Sequence, residues 1–257
     1  MDRSLDPTSD RPVFRQIADL LRDDIISGRL TEGARLPSEN QLVQEFGTAR
    51  GTVRQAIGQL KAEGLAASEH GRGAFVRRRP PVKRVAQDRF ARRHRDAGKA
   101  AFIAEAEGEG VSPGVEVLHV GSEKAPADVA ERLGQPAGDK VLVRRRRYLA
   151  DGEPVEVATS YVPQDIAAGT AMTRKNPGPG GIYARIEESG HRLARFTEDV
   201  AVRMPTPEEA RSLRLSPGTP VFHLVRTAFA ESGRAVEVCD TVMAGDRFLL
   251  SYELPAE

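Results

Sequence analysis

The stretch from Leu36 to Leu65, LPSENQLVQEFGTARGTVRQAIGQLKAEGL, holds two apolar patterns separated by a tight turn. Ser38 and Gln41 have the spacing of a capping box, which predicts that a helix begins there. The apolar residues that follow recur at helical spacing and end at a glycine: Leu42, Val43, Phe46 and Gly47. A second apolar set has the spacing i, i+3, i+4, i+7 and predicts another helix: Val53, Ala56, Ile57 and Leu60. Together the two patterns predict a helix-turn-helix.

The second of these predicted helices has a polar face opposite its apolar stripe. Arg50 and Arg54 are four residues apart and share this face, and Thr52 and Gln55 lie beside them. An arginine can donate two hydrogen bonds to guanine O6 and N7, and Thr or Gln can bond base edges or phosphates. The pattern favours a recognition helix in the major groove of DNA, and a solvated surface helix is the alternative.

The sequence on either side extends the motif. VFRQIADLLRDDIISG, which ends at Gly28, has apolar residues at helical spacing and predicts a preceding amphipathic helix. After Leu65, two short strand-like runs flank EHGRG, whose glycines permit a tight turn. These runs predict a β-hairpin wing that carries His70, Gly71 and Arg72 at its tip.

Length and composition indicate a globular chain of two domains. The chain has 257 residues, of which 39% are hydrophobic and 29% charged, enough for packed cores. No apolar run approaches the roughly 18 residues that span a bilayer, and the first residues lack the apolar core of a signal peptide. We therefore expect a cytoplasmic protein without a membrane partner. The single cysteine, Cys239, predicts neither a disulfide nor a structural metal site.

The net charge of +1 hides an uneven distribution. Residues 1–95 carry 19 Lys and Arg against 12 Asp and Glu, whereas residues 96–257 carry 19 against 25. Basic side chains are densest from Arg72 to Arg95, which suits either a polyanion or a solvated linker. We expect a first domain at 10–78, a basic linker at 79–99 and a second domain at 100–257. The prolines of the linker favour a hinge, and contact between its arginines and DNA backbone is the alternative.

The second domain contains an internal duplication. PADVAERLGQPAGDKVLVRRRRYLADGEPVEV matches PEEARSLRLSPGTPVFHLVRTAFAESGRAVEV, with Arg146 on Arg226 at an offset of 80 residues. One extra residue in the second turn then places Glu156 on Glu237. Each copy predicts a helix, a strand, a glycine-containing turn and a second strand. We also predict a helix over 182–188, a strand near 196–204 and a last strand over 248–254. These elements predict an antiparallel sheet with helices packed on it, with a cleft between the two halves.

Period-two alternation along RRRRY divides its side chains between the two faces of a strand. Arg144, Arg146 and Tyr148 share one face, and Arg145 and Arg147 share the other. A buried guanidinium requires a carboxylate, a carbonyl or an anionic ligand, so the inward row indicates a ligand site. The alternative is an ion pair between the repeats, either Arg146 with Glu237 or Arg226 with Glu156.

No residue pattern predicts an enzyme. His119, His191 and His223 have no partner at the spacing of a catalytic triad or a metal site, and the sequence has no glycine-rich phosphate loop. We therefore expect no catalytic residue, no metal and no cofactor.

The order LPSE, FGTARGTVRQAI, LKAEGL and HGRGAFV resembles the winged helix-turn-helix of the GntR family of bacterial transcription regulators, over about residues 12–76. The resemblance implies binding of double-stranded operator DNA through the recognition helix and the wing tip. The sequence departs from the family pattern at Ala49, where a Ser or Thr cap is preferred, and at Gly51, where a hydroxyl residue is common. The expected DNA contacts are Ser38, Arg50, Thr52, Arg54, Gln55, His70, Gly71 and Arg72.

RRRRYLADGEPVEVATSYVP, GRAVEVCDTVMAGDRF and IYARIEESGH resemble UTRA, the ligand-sensing domain of the HutC branch of that family. The resemblance implies an α+β fold similar to chorismate lyase and a small-molecule effector of unknown identity. Relatives that sense sugar phosphates have a second arginine at the position of Tyr148 and an aromatic residue at the position of Met243. These two differences weaken a sugar phosphate as the effector of this chain. The expected effector contacts are Arg146, Tyr148, Ser160, Glu237 and Met243.

These patterns together predict a homodimeric, nucleoid-associated transcription regulator that binds a palindromic operator. Members of this family are most often repressors. Two alternatives remain. One is a ligand-binding or catalytic module that a basic domain only tethers to DNA. The other is a regulator whose sensor cavity is filled by its own side chains.

Overall fold

The computed structural model describes residues 4–69, 72–77, 82–89, 91, 93, 97–98 and 100–253. The chain divides into two compact units. The first unit comprises residues 1–79 and 215–219, and the second comprises residues 80–214 and 220–257. Helices dominate the first unit and a six-stranded antiparallel sheet dominates the second, so the predicted α+β fold is confirmed.

Three helices and a β-hairpin form the first unit. Helix α1 spans Val13–Ile26, α2 spans Glu39–Phe46 and α3 spans Arg50–Ala62, and strands β1 (Ala66–Glu69) and β2 (Gly73–Val76) pair antiparallel. The apolar stripes of the three helices meet in one core, which confirms the predicted winged helix-turn-helix. Its largest members are Ile17, Leu21, Leu42, Phe46, Val53, Ile57 and Leu60.

The sheet of the second unit has the strand order β4-β5-β6-β9-β8-β7, and every neighbouring pair is antiparallel. The turn between β5 and β6 has positive φ angles at Asp151 (51°) and Gly152 (80°), which the two-residue turn of a tight hairpin requires. Outside this sheet, β3 and β10 form a parallel pair. The strands are β3 Val82–Val85, β4 Pro113–Lys124, β5 Lys140–Ala150, β6 Glu153–Pro163, β7 Leu193–Arg203, β8 Val221–Ala230, β9 Ala235–Ala244 and β10 Phe248–Ser251.

The duplication extends further than the sequence alignment indicated. The helices of this unit are α4 Ala86–Arg89, α5 Ala101–Gly108, α6 Ala127–Leu133, α7 Gln164–Ala167, α8 Gly181–Glu188 and α9 Pro207–Ser212, with a 3-10 helix at Ala171–Thr173. The order α5-β4-α6-β5-β6 of the first copy recurs as α8-β7-α9-β8-β9 in the second. The backbone after the first helix is equivalent too. The Val111 N–H donates to the Ala106 carbonyl just as the His191 N–H donates to the Ile186 carbonyl, 80 residues later.

The two copies meet at the central strands, β6 and β9. Residues of these strands correspond at an offset of 81, so Asp240 is the counterpart of Thr159, and the sheet register pairs these two residues directly. An antiparallel pair in which a residue faces its own counterpart has a local two-fold axis at that point. A pseudo-two-fold axis therefore passes between Thr159 and Asp240, and equivalent side chains of both copies converge around it.

Helices α5 and α8 cover one face of this sheet. Phe102 of α5 packs in one cluster with Tyr148, and the equivalent Ile182 of α8 packs in another with Ala228, the counterpart of Tyr148. Helix α6 covers the opposite face, where Leu133 and its neighbours pack on β5 and β9. The two helices of the first face thus occupy equivalent positions in the two copies.

Part of the predicted basic linker belongs to the second unit, because β3 and α4 lie within residues 79–99. Arg84 is 2% exposed and pairs with Glu198, and Arg89 is 8% exposed and pairs with Glu105. These two arginines therefore stabilise the second unit and are unavailable to DNA backbone. The two prolines of the predicted hinge lie outside the described residues. Within the described part of the chain, none of the helices has the length and apolarity needed to span a bilayer.

Candidate functional sites

Helix α3 buries one face and exposes the other. The buried face is the predicted apolar stripe of Val53, Ala56, Ile57 and Leu60, each at most 6% exposed. On the opposite face, Arg50, Arg54 and Gln55 are exposed and Thr52 is half-buried. We call these four residues the reading face. The structure therefore places the predicted base-contacting residues on the side of α3 that the core leaves open.

One carboxylate of α2 contacts the arginines of the reading face. Arg54 Nε lies 3.0 Å from both oxygens of Glu39, and Arg50 Nε lies 3.8 Å from Glu39 Oε2. Arg50 also donates to the Asn40 side-chain oxygen. The side chains of Arg50 and Arg54 nevertheless remain 56% and 63% exposed. Exposed ion pairs of this kind contribute only about 0–1 kcal/mol, so the guanidinium groups are oriented by α2 but remain accessible.

The helix starts near the reading face are formed in two ways. Ser38 caps α2 with the predicted capping box: the Gln41 N–H donates to Ser38 Oγ (3.3 Å), and the Ser38 N–H donates to Gln41 Oε1 (2.8 Å). Helix α3 begins after Ala49 without a side-chain cap, because alanine has no acceptor to offer. Ser38 thus lies at the start of α2 with its hydroxyl already engaged within the helix.

Only part of the predicted wing tip is described. His70 and Gly71 lie outside the described residues. Arg72 is exposed, and its guanidinium lies 5.4 Å from the centre of the Phe75 ring. Gly73 has a φ of 116°, and a Cβ at this position would lie 3.2 Å from the Arg35 guanidinium, so both the backbone and its neighbour favour glycine there.

A cavity of about 70 Å³ lies between the sheet and the helices α5 and α8. It surrounds the region where the two copies converge, so its wall is composed largely of equivalent residues from β5 and β8, β6 and β9, and α5 and α8. We call it the charged cavity. Its polar and aromatic wall comprises Arg89, Phe102, Arg146, Tyr148, Glu156, Tyr183, Arg226, Glu237, Cys239 and Thr241.

Glu237 is held by two partners from its own copy. The Tyr183 hydroxyl donates to Glu237 Oε2 at 2.5 Å, and Arg226 Nη2 lies 3.5 Å from the same oxygen. Glu237 is fully buried, and burial holds the pKa of Tyr183 well above its usual range, so this phenol is a donor. The ion pair therefore forms within the second copy, between Arg226 and Glu237. It differs from both pairings between the repeats that the sequence left open.

Arg146 is held by a neutral group. Its Nη2 donates to the Ser160 hydroxyl, which in turn lies 3.6 Å from Cys239 Sγ, and its guanidinium lies 5.8 Å from the Tyr148 ring centre. Of the predicted effector contacts, Arg146, Tyr148 and Glu237 border the charged cavity, whereas Ser160 is not part of its wall. The structure does not bring Met243 to this wall: Met243 is buried in an apolar cluster, 3.9 Å from Arg84 Nη1.

A larger cavity, of about 320 Å³, adjoins the charged cavity and shares Arg146, Tyr148 and Ile182 with it. The rest of its wall combines apolar residues with two basic ones: Ile103, Val115, Val117, Pro177, Arg144 and Lys175. The predicted division of the RRRRY strand is confirmed, because Arg144, Arg146 and Tyr148 face the cavities while Arg145 is exposed on the other side.

Arg144 of this strand is engaged by backbone oxygens. Its Nη1 donates to the carbonyls of Met172 and Arg174, the latter at 2.5 Å, and its Nη2 donates to the Lys175 carbonyl at 2.9 Å. Arg144 is 1% exposed, and burial lowers its pKa to about 10. This arginine fixes the turn after the 3-10 helix and so shapes the wall of the larger cavity.

Four of the Arg, Glu and Tyr side chains that line the charged cavity were not among the predicted effector contacts: Arg89, Glu156, Tyr183 and Arg226. Two of them could have been predicted from the duplication, because Glu156 and Arg226 are the counterparts of Glu237 and Arg146. Tyr183 belongs to a helix whose inward face shows only in three dimensions. Arg89 was counted with the linker, yet it pairs with Glu105, whose pKa burial raises to about 6.

The histidines do not assemble a catalytic or metal site within the described residues. His119 Nε2 lies 2.8 Å from Glu123 Oε1, and His223 Nε2 lies 3.1 Å from Asp240 Oδ1, but no third ligand joins either pair. Both pairs lie at partly exposed positions and away from the two cavities. They are surface contacts between an imidazole and a carboxylate.

The chain combines a winged helix-turn-helix, with arginines on the exposed face of α3, and a sheet unit that encloses a charged cavity. This combination is typical of a DNA-binding regulator with a ligand-sensing domain. Residues 14–76 match the family described as bacterial regulatory proteins, gntR family, and residues 108–249 match the UTRA domain. The chain belongs to the GntR family of transcription regulators, and its UTRA domain is of the HutC type.

Individual relatives cover nearly the whole chain. An HTH-type transcriptional regulator of Streptomyces coelicolor is 35% identical over 94% of this chain and 92% of its own length. The mannosyl-D-glycerate transport/metabolism system repressor MngR of Escherichia coli is 31% identical over 88% of this chain and 89% of its own length. The crystal structure of a GntR-family transcriptional regulator superposes with a TM-score of 0.64 at 30% identity, covering 96% of this chain and 99% of the other.

These relationships confirm the predicted function. The protein is a sequence-specific DNA-binding transcription regulator whose operator binding is modulated by a small molecule in the UTRA domain. It acts on transcription and is not an enzyme.

Proposed function

We propose that the reading face of α3 recognises operator bases, with Arg50 and Arg54 each donating to a guanine in the major groove. The supporting observation is that both guanidinium groups are more than half exposed, opposite a fully buried stripe of the same helix. Thr52 and Gln55 flank the arginines and bond neighbouring bases or phosphates. Ser38, at the start of α2, and the wing residues His70, Gly71 and Arg72 contact the DNA backbone.

Binding exchanges the Glu39 contacts of these arginines for contacts with DNA. An exposed ion pair contributes at most about 1 kcal/mol, whereas a bidentate arginine–guanine pair contributes about 1–3 kcal/mol of discrimination. The exchange is therefore favourable at a correct base and close to neutral at a wrong one. Glu39 in this way adds to specificity, because a guanidinium that finds no guanine can return to its carboxylate.

The regulator acts as a homodimeric repressor on a palindromic operator. Two winged domains in one dimer match two half-sites whose centres lie about one helical turn or more apart. The DNA-binding domain covers residues 10–78 and the sensor covers residues 100–257, to which the segment 82–89 also belongs. Acting on chromosomal DNA, the protein works in the cytoplasm at the nucleoid.

The effector occupies the charged cavity and the larger cavity beside it. Arg146, Tyr148 and Glu237 contact it directly, Ser160 holds Arg146 in place, and Met243 supports the strand from behind. The wall combines guanidinium groups with carboxylates, so it suits a small organic acid that also carries hydroxyl or amino groups. The name of MngR indicates control of a mannosyl-D-glycerate system, and mannosyl-D-glycerate has both a carboxylate and hydroxyls.

Selection of bound fragments from genomic DNA tests this function. The operator so obtained is compared with a scrambled duplex of the same length and composition at physiological salt. A sequence-specific regulator binds its operator at least about a thousandfold more tightly than other DNA. Equal affinity for the two duplexes, with a steep dependence on salt, would instead support a domain that only tethers the chain to DNA.

Thermal-shift screening of hydroxy and amino acids against the full chain tests the effector class. A ligand that binds only the folded form raises the unfolding temperature and, if it is the effector, also changes operator affinity. A cavity filled by the protein's own side chains predicts that no compound does either.

A further inference from the structure

The two copies of the duplication treat equivalent carboxylates differently. In the second copy, Glu237 accepts a hydrogen bond from Tyr183 and pairs with Arg226. The equivalent residues of the first copy, at offsets of 81, 80 and 80, are Glu156, Ile103 and Arg146. Glu156 is 1% exposed, and its Oε2 has no hydrogen-bond partner among the described residues.

One substitution and one change of hydrogen-bond partner explain this difference. Ile103 stands where the second copy has Tyr183, and an isoleucine cannot donate a hydrogen bond. Arg146, the counterpart of Arg226, donates to Ser160. The first copy therefore has the carboxylate acceptor, Glu156, but lacks the two donors that Tyr183 and Arg226 provide to Glu237.

A buried carboxylate oxygen without a donor is costly, and most buried polar atoms in folded proteins have a partner. Glu156 borders the charged cavity, so a ligand there can reach it. The side chain of Ile103 borders the larger cavity, which provides open space where the second copy has the Tyr183 ring. The lost donor thus leaves both an acceptor and room for a ligand.

We propose that Glu156 accepts a hydrogen bond from a hydroxyl or ammonium group of the effector, in the way that Glu237 accepts one from Tyr183. This inference rests on the proposed function, in which the effector occupies this cavity. Arg146, which among the described residues donates to the neutral Ser160 and lies beside the Tyr148 ring, binds the acidic group of the same molecule. Glu237 also has one buried oxygen, Oε1, without a partner among the described residues, but its Oε2 is already engaged by Tyr183 and Arg226, so it contributes less to ligand affinity than Glu156.

A first experiment requires no ligand. Ile103→Tyr places a phenol at the position equivalent to Tyr183, and Ile103→Phe adds the same ring without the hydroxyl. With Glu156 present, we expect the tyrosine variant to unfold at a temperature about 3 °C or more above the phenylalanine variant. In a Glu156→Met background, which removes both oxygens, this advantage disappears. Equal unfolding temperatures for the two variants in the presence of Glu156 would overturn the proposed acceptor.

A second experiment uses two small acids and keeps the inference testable if Ile103→Tyr does not fold. D-Gluconate and D-glucosaminate differ only at carbon 2, where the first carries a hydroxyl and the second an ammonium group. Each is titrated calorimetrically into the full chain and into the matched variants Glu156→Gln and Glu237→Gln. We expect at least one of them to bind the unaltered protein, at least tenfold more weakly to Glu156→Gln, and with a smaller loss to Glu237→Gln. Preference between the two acids shows whether the donor is a hydroxyl or an ammonium group.

The outcomes separate this inference from the function on which it rests. An acid that binds Glu156→Gln as tightly as the unaltered protein overturns the role of Glu156 and leaves the effector cavity in place. If neither acid binds the unaltered protein, the proposed effector class fails. In that case the comparison of Ile103→Tyr with Ile103→Phe alone decides whether Glu156 lacks a donor.

Discussion

The arginines of α3 and those of the sheet unit have the same chemistry and opposite surroundings. Arg50 and Arg54 are 56% and 63% exposed and share one carboxylate of α2. Arg144 and Arg226 are 1% and 6% exposed and are engaged by carbonyls or by a carboxylate of the same unit. An exposed arginine can exchange its partner for DNA at little cost, whereas a buried arginine belongs to the fold. The exposed guanidinium groups are thus accessible to a partner such as DNA, whereas those of Arg144 and Arg226 are engaged within their own unit.

The largest effect expected from this comparison is on Arg144. Arg144→Ala leaves three backbone carbonyls without their donor and opens the wall beside the 3-10 helix. We expect a loss of about 3 kcal/mol in the free energy of unfolding, measured by urea denaturation of the full chain. The matched control is Arg145→Ala, one residue along the strand and exposed, with an expected change below about 0.5 kcal/mol. Similar losses for the two variants would contradict the distinction between buried and exposed arginines.

The next effect concerns DNA and leaves stability nearly unchanged. Arg54→Ala and Arg50→Ala should each weaken operator binding by about 1–3 kcal/mol and relax the base preference at one position of each half-site. Fluorescence anisotropy with the operator and its single-base variants measures both quantities. Lys61→Ala, in the last turn of the same helix and outside the reading face, is the control and should retain the base preference. Unchanged operator affinity in both arginine variants would remove these residues from the recognition surface.

A smaller effect is expected where the exposed arginines meet their carboxylate. Glu39→Gln removes the group that accepts from Arg54 at 3.0 Å. We expect the ratio of operator affinity to non-specific affinity to fall about fivefold, or about 1 kcal/mol, because wrong bases no longer compete with an internal partner. Non-specific binding should strengthen, since one negative charge near the DNA is lost. A ratio that does not change would show that Glu39 has no part in discrimination.

The sequence predicted the first unit almost completely because its signals are local. Helical spacing of apolar residues, the Ser38–Gln41 box and the glycine stops each act within a few residues. In the second unit, α5 and β4 were missed. AFIAEAEG has little amphipathic contrast, and β4 is an edge strand whose residues are mostly exposed or half-buried on both faces, which weakens the period-two pattern. The strand prediction near 196–204 was late by a few residues, and β7 begins at Leu193.

The cavity shows where sequence reasoning stops. Alternation along one strand identified the inward row of Arg144, Arg146 and Tyr148, because the period of a strand is a local property. The partners of those side chains lie far away in the chain. Arg144 bonds a turn about 30 residues later, and Glu237 accepts from Tyr183, 54 residues before it. The resemblance to UTRA supplied candidate effector residues and the alignment of the two copies supplied candidate ion pairs, but only the packed sheet shows which carboxylate is engaged.

The Arg203–Glu209 pair is intermediate between the two kinds of arginine and gives the smallest effect. The side chains are 35% and 21% exposed, and two hydrogen bonds of 2.7 Å join them. Those bonds, together with the Thr206 N–H, hold the pKa of Glu209 at about 2, below its usual value of 4.5. A depressed pKa means that the carboxylate stabilises the fold at neutral pH and that this contribution is lost as the pH falls from about 4.5 towards 2.

We expect Glu209→Gln to lower the free energy of unfolding by slightly less than about 1 kcal/mol at pH 7, since solvent screens a partly exposed pair. Urea denaturation at pH 7 and pH 3 measures the free energy of unfolding, and Glu208→Gln, a change of the exposed neighbour, is the control. The gap in this free energy between Glu209→Gln and the unaltered protein should be smaller at pH 3 than at pH 7. A gap of the same size at both pH values would contradict this prediction, because the stabilisation by the carboxylate is expected to weaken as the group becomes protonated.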